Sequence, residues 1–306
     1  MFAPPPIVET EVFARLPEDS RRAGRRSEWL DVQMRGRPLD SFLEGPSFDR
    51  QGNLYCVDIA FGRIFRVAPD GSFATVADYD GEPNGLKIHK DGRIFVADHK
   101  NGILLLDPAT GAMTPHVDRP LLERFKGVND LFFAANGDLY FTDQGQTGLH
   151  DPTGRLYRID GATGRLETIL DNVPSPNGLV MDRAEEVMFL AVTRDNAVWR
   201  VPLLAEGRAS KVGRFIQLSG SLGGPDGLAL DRDGNIAVAH AGLGVVWIFS
   251  PLGEPLYRVQ SRTGILTTNI AYGGPAGRTL FITESDTGLI LKAELPVPGQ
   301  TMFAHA

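Results

Sequence analysis

Six oxygen-bearing side chains recur at nearly even intervals along this chain of 306 residues. Glu44 stands in EGPSFD, Asn84 in PNGLKIH, Asn129 in VNDLFF, Asn177 in PNGLVMD, Asp226 in PDGLALD and Asn269 in TNIAYG. The steps between them are 40, 45, 48, 49 and 43 residues. None is apolar, and none is His or Cys. Brought together, two carboxylates and four amides form a hard-oxygen set that suits Ca²⁺ or Mg²⁺ rather than a nitrogen and sulfur zinc site. There is a plainer reading. Asn and Asp before Gly are turn residues, and a ring of them could simply bond water and backbone. Glu44 favours the cation, because Glu is a poor turn residue. The residues alone leave both readings standing.

The elements that must position these residues follow from the repeat itself. Ten residues after each of the first five comes an apolar residue opening a second run: Leu54, Ile94, Leu139, Val187 and Ile236. In the sixth copy Leu280 comes eleven residues after. Between the two runs lie DRQGN, HKDGR, AANGD or DRDGN, and Asp-Gly or Asn-Gly between alternating runs marks a hairpin. A third run follows, as in GRIFRVAP, GRLYRID and GVVWIFS. Units of about 45 residues built from four strands indicate an all-β, six-bladed β-propeller. In such a ring every inner strand starts beside the central channel, so the six repeated residues share one level around the axis. The last unit is one strand short. The run ETEVFARL, residues 9–16, is predicted to supply its outer strand and close the ring, which removes an exposed sheet edge. Residues 1–306 then make one propeller domain. Residues 17–43, with RRAGRRSEWLDVQMRG, fit no blade and are predicted to form an insertion loop, with a short helix, over one face.

Composition narrows the partners. Hydrophobic residues are 42% and charged residues 23%, as in a soluble globular protein. Net charge is −7 and the pI about 5.4, which disfavours nucleic acid and anionic membrane surfaces. The basic run RRAGRR reads as a solvated loop. A single cysteine, Cys56, excludes an internal disulfide and a Cys-based zinc site. In LYCVD it reads as a small buried hydrophobe. No apolar run reaches membrane-spanning length, and MFAPPPIVET lacks a signal-peptide pattern, so a cytoplasmic location is expected. No protein partner is implied. No GxSxG elbow and no GxGxxG fingerprint occurs, which removes the serine-esterase and dinucleotide readings.

Taken in order, EGPSFD, GVNDLFF, SPNGLVMD, GPDGLALD and TTNIAYGG with TLFITES resemble the family of gluconolactonases, senescence marker protein and luciferin-regenerating enzyme. The resemblance runs from about Glu44 to Glu294. It implies a six-bladed propeller with one divalent cation at the bottom of a central pocket, and hydrolysis of a small-molecule lactone. It implies Glu44, Asn129, Asn177 and Asp226 as metal-binding residues, with Asn129 at the metal or just beside it. Asp226 is implied as the catalytic base or nucleophile. Asn84 and Asn269 are implied to face the substrate or to support the ligands. Ca²⁺ is the first choice, and Mg²⁺, Mn²⁺, Zn²⁺ and Fe²⁺ also suit such ligands. The sugar-lactonase members carry Arg-x-Asn-Asp around the third repeat, whereas this chain reads Lys126-Gly127-Val128-Asn129-Asp130. The absent Arg implies a lactone less hydroxylated than gluconolactone. A phosphoester or fluorophosphate hydrolase using the same cation, as in more distant relatives, and a non-catalytic ligand-binding propeller are the alternatives.

Further substrate-binding candidates lie where loops follow second strands. They are His99 after FVAD, Lys126, the loop QGQTGLHDPTG with Gln144, Gln146 and His150, and Glu284. For His99 a plain loop histidine is the competing reading. Trp29 and Tyr272 are candidates for the pocket mouth, or for structural packing. His240 stands where other units place Asp or Glu and is expected to make structural hydrogen bonds. His89 and His116 are expected to be exposed.

Overall fold

The structure, a computed structural model, describes residues 3–204 and 208–306. Met1 and Phe2 of the MFAPPPIVET stretch therefore lie outside the described residues. Among the described residues six four-stranded antiparallel meanders follow one another around the ring, the last completed by an amino-terminal strand. Their innermost strands are Leu43–Phe48, Pro83–Ile88, Val128–Phe133, Pro176–Met181, Gly224–Leu230 and Thr267–Gly273. Each packs against the inner strand of the next blade, and the sixth packs against the first, so the ring is closed.

The predicted hairpin register holds. The second strands span Leu54–Asp58, Ile94–Asp98, Leu139–Asp143, Val187–Val192, Ile236–Ala241 and Thr279–Glu284. They are buried along their whole length because each is covered by a neighbouring blade on either face, which explains their continuous apolar runs. The outer strands are far more open: Phe73–Asp78 exposes Ala74, Thr75 and Asp78 to solvent.

Closure comes from the amino-terminal segment, as its sequence predicted. Glu11–Arg15 runs antiparallel to Leu289–Glu294, with Glu11 opposite Lys292 and Arg15 opposite Leu289. Phe13 packs edge-on against Phe281 at 5.0 Å, and Phe281 meets Phe48 of the first blade at the same separation. The sequence did not suggest a further strand, Ile7–Glu9, which lies parallel to Pro255–Gln260 as a fifth strand of blade five. The segment therefore joins blades five and six before it closes the ring.

The insertion carries a 3₁₀ turn, Glu18–Ser20, and a short helix, Glu28–Gln33. Ser27 caps the helix by accepting from the Leu30 amide at 3.3 Å. Leu30 packs with Phe42, Ile59 and Ala60, and the Trp29 ring lies 4.7 Å from Phe42. Trp29 thus has a packing role. Arg37 pairs with Asp286 at 2.7 Å, and Gln33 donates to Gln146 at 2.6 Å. These contacts hold the insertion against the loops that surround the repeated polar residues.

Candidate metal centre

Every inner strand breaks register at the repeated residue, for example between Glu44 and Ser47, between Pro176 and Leu179, and between Pro225 and Leu228. A bulge re-aims side chains and bends the strand. Here it happens at the same place six times. The glycine after the polar residue answers a second need. A Cβ on Gly45 would lie 2.7 Å from the Asn84 carbonyl oxygen, and one on Gly85 equally close to that of Asn129. Pro-Asn-Gly-Leu is therefore both a bulge and a close approach between neighbouring blades.

Glu44, Asn177, Asp226 and Asn269 act on one another through hydrogen bonds and charge, and Asn84 and Asn129 stand at the same repeat position on neighbouring inner strands. Glu44, Asn84, Asn129, Asn177 and Asn269 are buried, and Asp226 keeps partial access to solvent. Amide hydrogen bonds link them: Asn177 to Asp226, and Asn269 to Glu44. Asn269 Nδ2 also reaches Asp130 Oδ2 at 3.3 Å. Burial, then the negative charge of Asp226, with a smaller contribution from Asp130, holds the Glu44 carboxyl well above its ordinary range. Burial, and next the charge of Asp130, pushes Asp226 up to about 8, while Asn177 and Arg194 pull the other way. Like charges crowded in a poorly solvated space raise each other in this way, and a cation between them would relieve both. The donor set therefore fits a hard divalent cation held by two carboxylates and neutral amides. Among the described residues no three His, Cys, Asp or Glu side chains form a ready-made metal cage, so the amides would have to contribute.

Two residues near this ring were not anticipated. Asp130 occupies the slot that is glycine in four other blades, is buried, and lies 3.7 Å from Lys87. Its signal was visible as the one acidic residue in that slot. Arg194, exposed in the turn Thr193–Asp195, bears on Asp226 through its charge. Nothing in the sequence marked it, because the turn belongs to no repeat motif.

The other candidates divide. His99 Nδ1 pairs with Glu82 Oε2 at 2.7 Å, and its Nε2 meets Gln146 Nε2 at 2.6 Å. A Cβ on Gly127, two residues before Asn129, would lie 2.6 Å from His99 Nε2. The structure thus brings His99, Gln146 and Gln33 together over the strand that enters the third blade. Gln144 is next along the chain after Asp143, and its backbone N–H donates to the Gly127 carbonyl at 2.8 Å. His150 is exposed, close to Gly148 and through it to Arg194. The exposed Lys126 directs its ammonium towards Glu123 at 3.9 Å, and its backbone amide donates to Asp143.

Glu284 belongs to a structural set. Asp58, Asp98 and Asp143, at the ends of their second strands, accept from the amides of Phe42, Glu82 and Lys126, which lead into the inner strands. Glu284, fully buried at the same place, accepts from the Asp286 amide at 2.8 Å and from the Thr287 hydroxyl. His240 completes the set with structural bonds, as expected. Its Nδ1 accepts from Trp247 Nε1 at 3.2 Å and its Nε2 lies 3.1 Å from Asn196 Oδ1.

Two expectations are corrected. Tyr272 is not at the pocket mouth: three residues beyond Asn269 on the inner strand, it is buried towards the other end of the channel. His89 is not free on the surface. Its ring packs 4.9 Å from Phe303 and 5.1 Å from Phe133, and its Nδ1 lies 2.7 Å from Asp91. The carboxy-terminal segment covers it, which no local pattern announced. His116 is exposed and Cys56 is buried, both as expected.

The fold and the ring define a six-bladed propeller whose axis carries an oxygen-lined site. The chain belongs to the SMP-30/gluconolactonase/LRE-like family, whose sequence model matches residues 42–286. It is 30% identical over 241 residues to lactonase drp35 of Staphylococcus aureus, covering 76% of this chain and 72% of that protein. Among solved structures it is similar to regucalcin, a calcium-binding protein of Agrobacterium tumefaciens. The TM-score is 0.77 at 21% identity, over 98% of this chain and 99% of that one. It is also similar to a gluconolactonase of Xanthomonas campestris, with a TM-score of 0.74 at 21% identity over 97% and 99% of the two chains. Among the described residues no helix is long and apolar enough to cross a membrane.

Proposed function

We propose that this protein is a divalent-cation-dependent lactonase. The observation that supports this most is the convergence of Glu44 and Asp226, each pushed up by burial and Glu44 also by Asp226, within a ring of amides. Relatives named lactonase and gluconolactonase support the same reading. Glu44, Asn129, Asn177 and Asp226 would hold the cation, with Ca²⁺ the first choice in view of the calcium-binding regucalcin. When bound, the cation supplies a Lewis acid that polarises the lactone carbonyl and relieves charge on the developing oxyanion.

The chain's own residues do the rest. Water oxygen bonds to the carbonyl carbon while Asp226 accepts the water proton. The ring C–O bond then breaks, and the proton passes to the departing alkoxide, leaving a hydroxy acid. Partial solvent access at Asp226, beside buried Glu44 and Asn129, suits the one ligand that must meet water and substrate. Asn84 and Asn269 orient the substrate or the ligands. His99, Gln144, Gln146 and His150 wall the approach, with Lys126 at its margin. The substrate is a small, sparingly hydroxylated lactone, and the location is cytoplasmic.

The test is a pH-stat assay on aliphatic, aromatic and aldono-lactones. The protein is stripped with chelator and then given back single divalent cations. Activity lost on stripping and restored by one cation is the expected result. A folded protein that binds cation yet opens no lactone overturns the reading, and phosphoesters and fluorophosphates would then be assayed.

A further inference from the structure

Glu44 and Asp226 are not the only carboxylates that bear on the oxygen ring. Asp130 follows Asn129 on the third inner strand and is buried, and its charge acts on both of them. On Asp226 it is the largest charge effect.

The fold holds this third carboxylate in place and sets a cation beside it. Asp130 Oδ1 accepts from the Leu131 amide at 2.8 Å, and Oδ2 lies 3.3 Å from Asn269 Nδ2. A Cβ on Gly85 would lie 2.8 Å from Oδ1, so the second inner strand packs directly on the carboxylate. Two residues past Gly85 that strand carries Lys87. Its ammonium lies 3.7 Å from Asp130 Oδ1, and the two side chains are 19% and 4% exposed. Both residues are exceptions to the repeat. The slot of Asp130 is glycine in four other blades and Ile270 in the last, and Lys87 is the single basic residue on the six inner strands.

The charges can be counted. Glu44, Asp226 and Asp130 bring three negative charges, Lys87 returns one, and two remain, which matches a divalent cation. Arg194 also acts on Asp226, but it is exposed, and solvent and salt screen an exposed charge. Folding stability gives little reason for the pair, because apolar residues of similar volume often replace a buried ion pair without loss.

We propose that Lys87 is a tethered counter-cation of the oxygen ring, which offsets Asp130 and so sets how tightly a divalent cation binds there. The proposal rests on the cation centre proposed above, and not on its substrate. Lys87 acts from three residues past Asn84, through charge and without contact with substrate. With the third carboxylate offset, a cation in the ring is not over-neutralised and keeps its pull on a carbonyl oxygen.

The experiment is calcium titration calorimetry of the full chain, stripped with chelator, at low salt. Lys87→Met removes the ammonium at similar volume and should bind calcium at least about tenfold more tightly than the parent. Asp130→Asn should bind it at least about tenfold more weakly. The double variant restores the charge balance and should return to within about threefold of the parent. Lys87→Arg should stay within the same range. If Lys87→Met folds poorly, Lys87→Gln makes the same charge change and carries the same expectation. A merely structural pair would change melting in the single variants without this opposite movement of calcium affinity. Affinity unchanged or weaker on loss of the ammonium overturns the proposal, as does a double variant that binds no better than Asp130→Asn. A parent that binds no divalent cation overturns it together with the cation centre. A parent that binds calcium and opens no lactone overturns the lactonase reading alone, and the same titrations still decide the role of Lys87.

Discussion

A methyl group on the α-carbon of Gly178 would lie 2.5 Å from the carbonyl oxygen of Asp226. The glycine of one blade is thus what lets the next blade bring its carboxylate to the axis. Gly178→Ala should push the two inner strands apart and destabilise the protein by about 1–3 kcal/mol. Cation binding should weaken with it. Urea unfolding and calcium titration of the same variant check both, and unchanged stability would mean the blades can part freely.

Asp226→Asn should lower lactone turnover by at least about a hundredfold while the protein stays folded. The change removes one of two carboxylates that repel each other, so the cation-free variant should melt no lower than the parent. The melting increase that saturating cation gives the parent should shrink. The stabilisation behind that increase is about 2.7 kcal/mol at a hundred times Kd. Calorimetric scans with and without cation, next to pH-stat rates, make the measurement. An active variant would remove Asp226 from the chemistry.

His240 gives the molecule an acid sensitivity away from the ring. Burial holds its imidazole down at about 4, against an ordinary value of 6.5. The neutral tautomer fits its bonds, with Nε2–H donating to Asn196 and Nδ1 accepting from Trp247. Because the folded value is depressed, the stabilisation is complete above about pH 6.5 and is lost as pH falls towards 4, by about 3 kcal/mol. Urea midpoints measured from pH 7 to 4 should fall less steeply in His240→Gln. Parallel slopes would show that other groups dominate the acid limb.

Removing residues 1–15 should open the ring at blade six. Melting should fall by about 2–4 °C for each kcal/mol of lost contact. Limited proteolysis should then cut first around Leu289–Glu294, whose outer partner is gone. A cut elsewhere would place the weak seam in another blade.

Much of the fold was legible because propeller repeats write register directly into sequence. Leu54, Ile94, Leu139, Val187 and Ile236 each open a second strand, and Glu11–Arg15 takes the outer-strand place left open in the sixth unit. The ring residues were legible for the same reason. What stayed hidden depends on contacts between distant segments. Gln33 and Gln146 meet across more than a hundred residues of chain, and Phe303 covers His89 from the far end of the sequence. Glu284 and Tyr272 show a different limit. Position along a strand tells which level of the channel a residue occupies only after the bulge is placed, and in blade six the bulge falls between Thr267 and Ile270, at the repeated residue itself. Asp58, Asp98 and Asp143 anchor the amides that enter the first three blades, and Glu284 holds the loop that follows it.

The seam between Glu11–Arg15 and Leu289–Glu294 also fixes an order of events during synthesis. The strand that locks the circle is made before any blade, and its partner belongs to the sixth. Five blades must wait with an unsealed edge until the sixth is made, and a nascent chain stays an open arc until Lys292 has been added. Such long-range pairing is slow to form and exposes strand edges meanwhile. Chaperone protection during synthesis therefore bears on completion of the sixth blade more than on any earlier one.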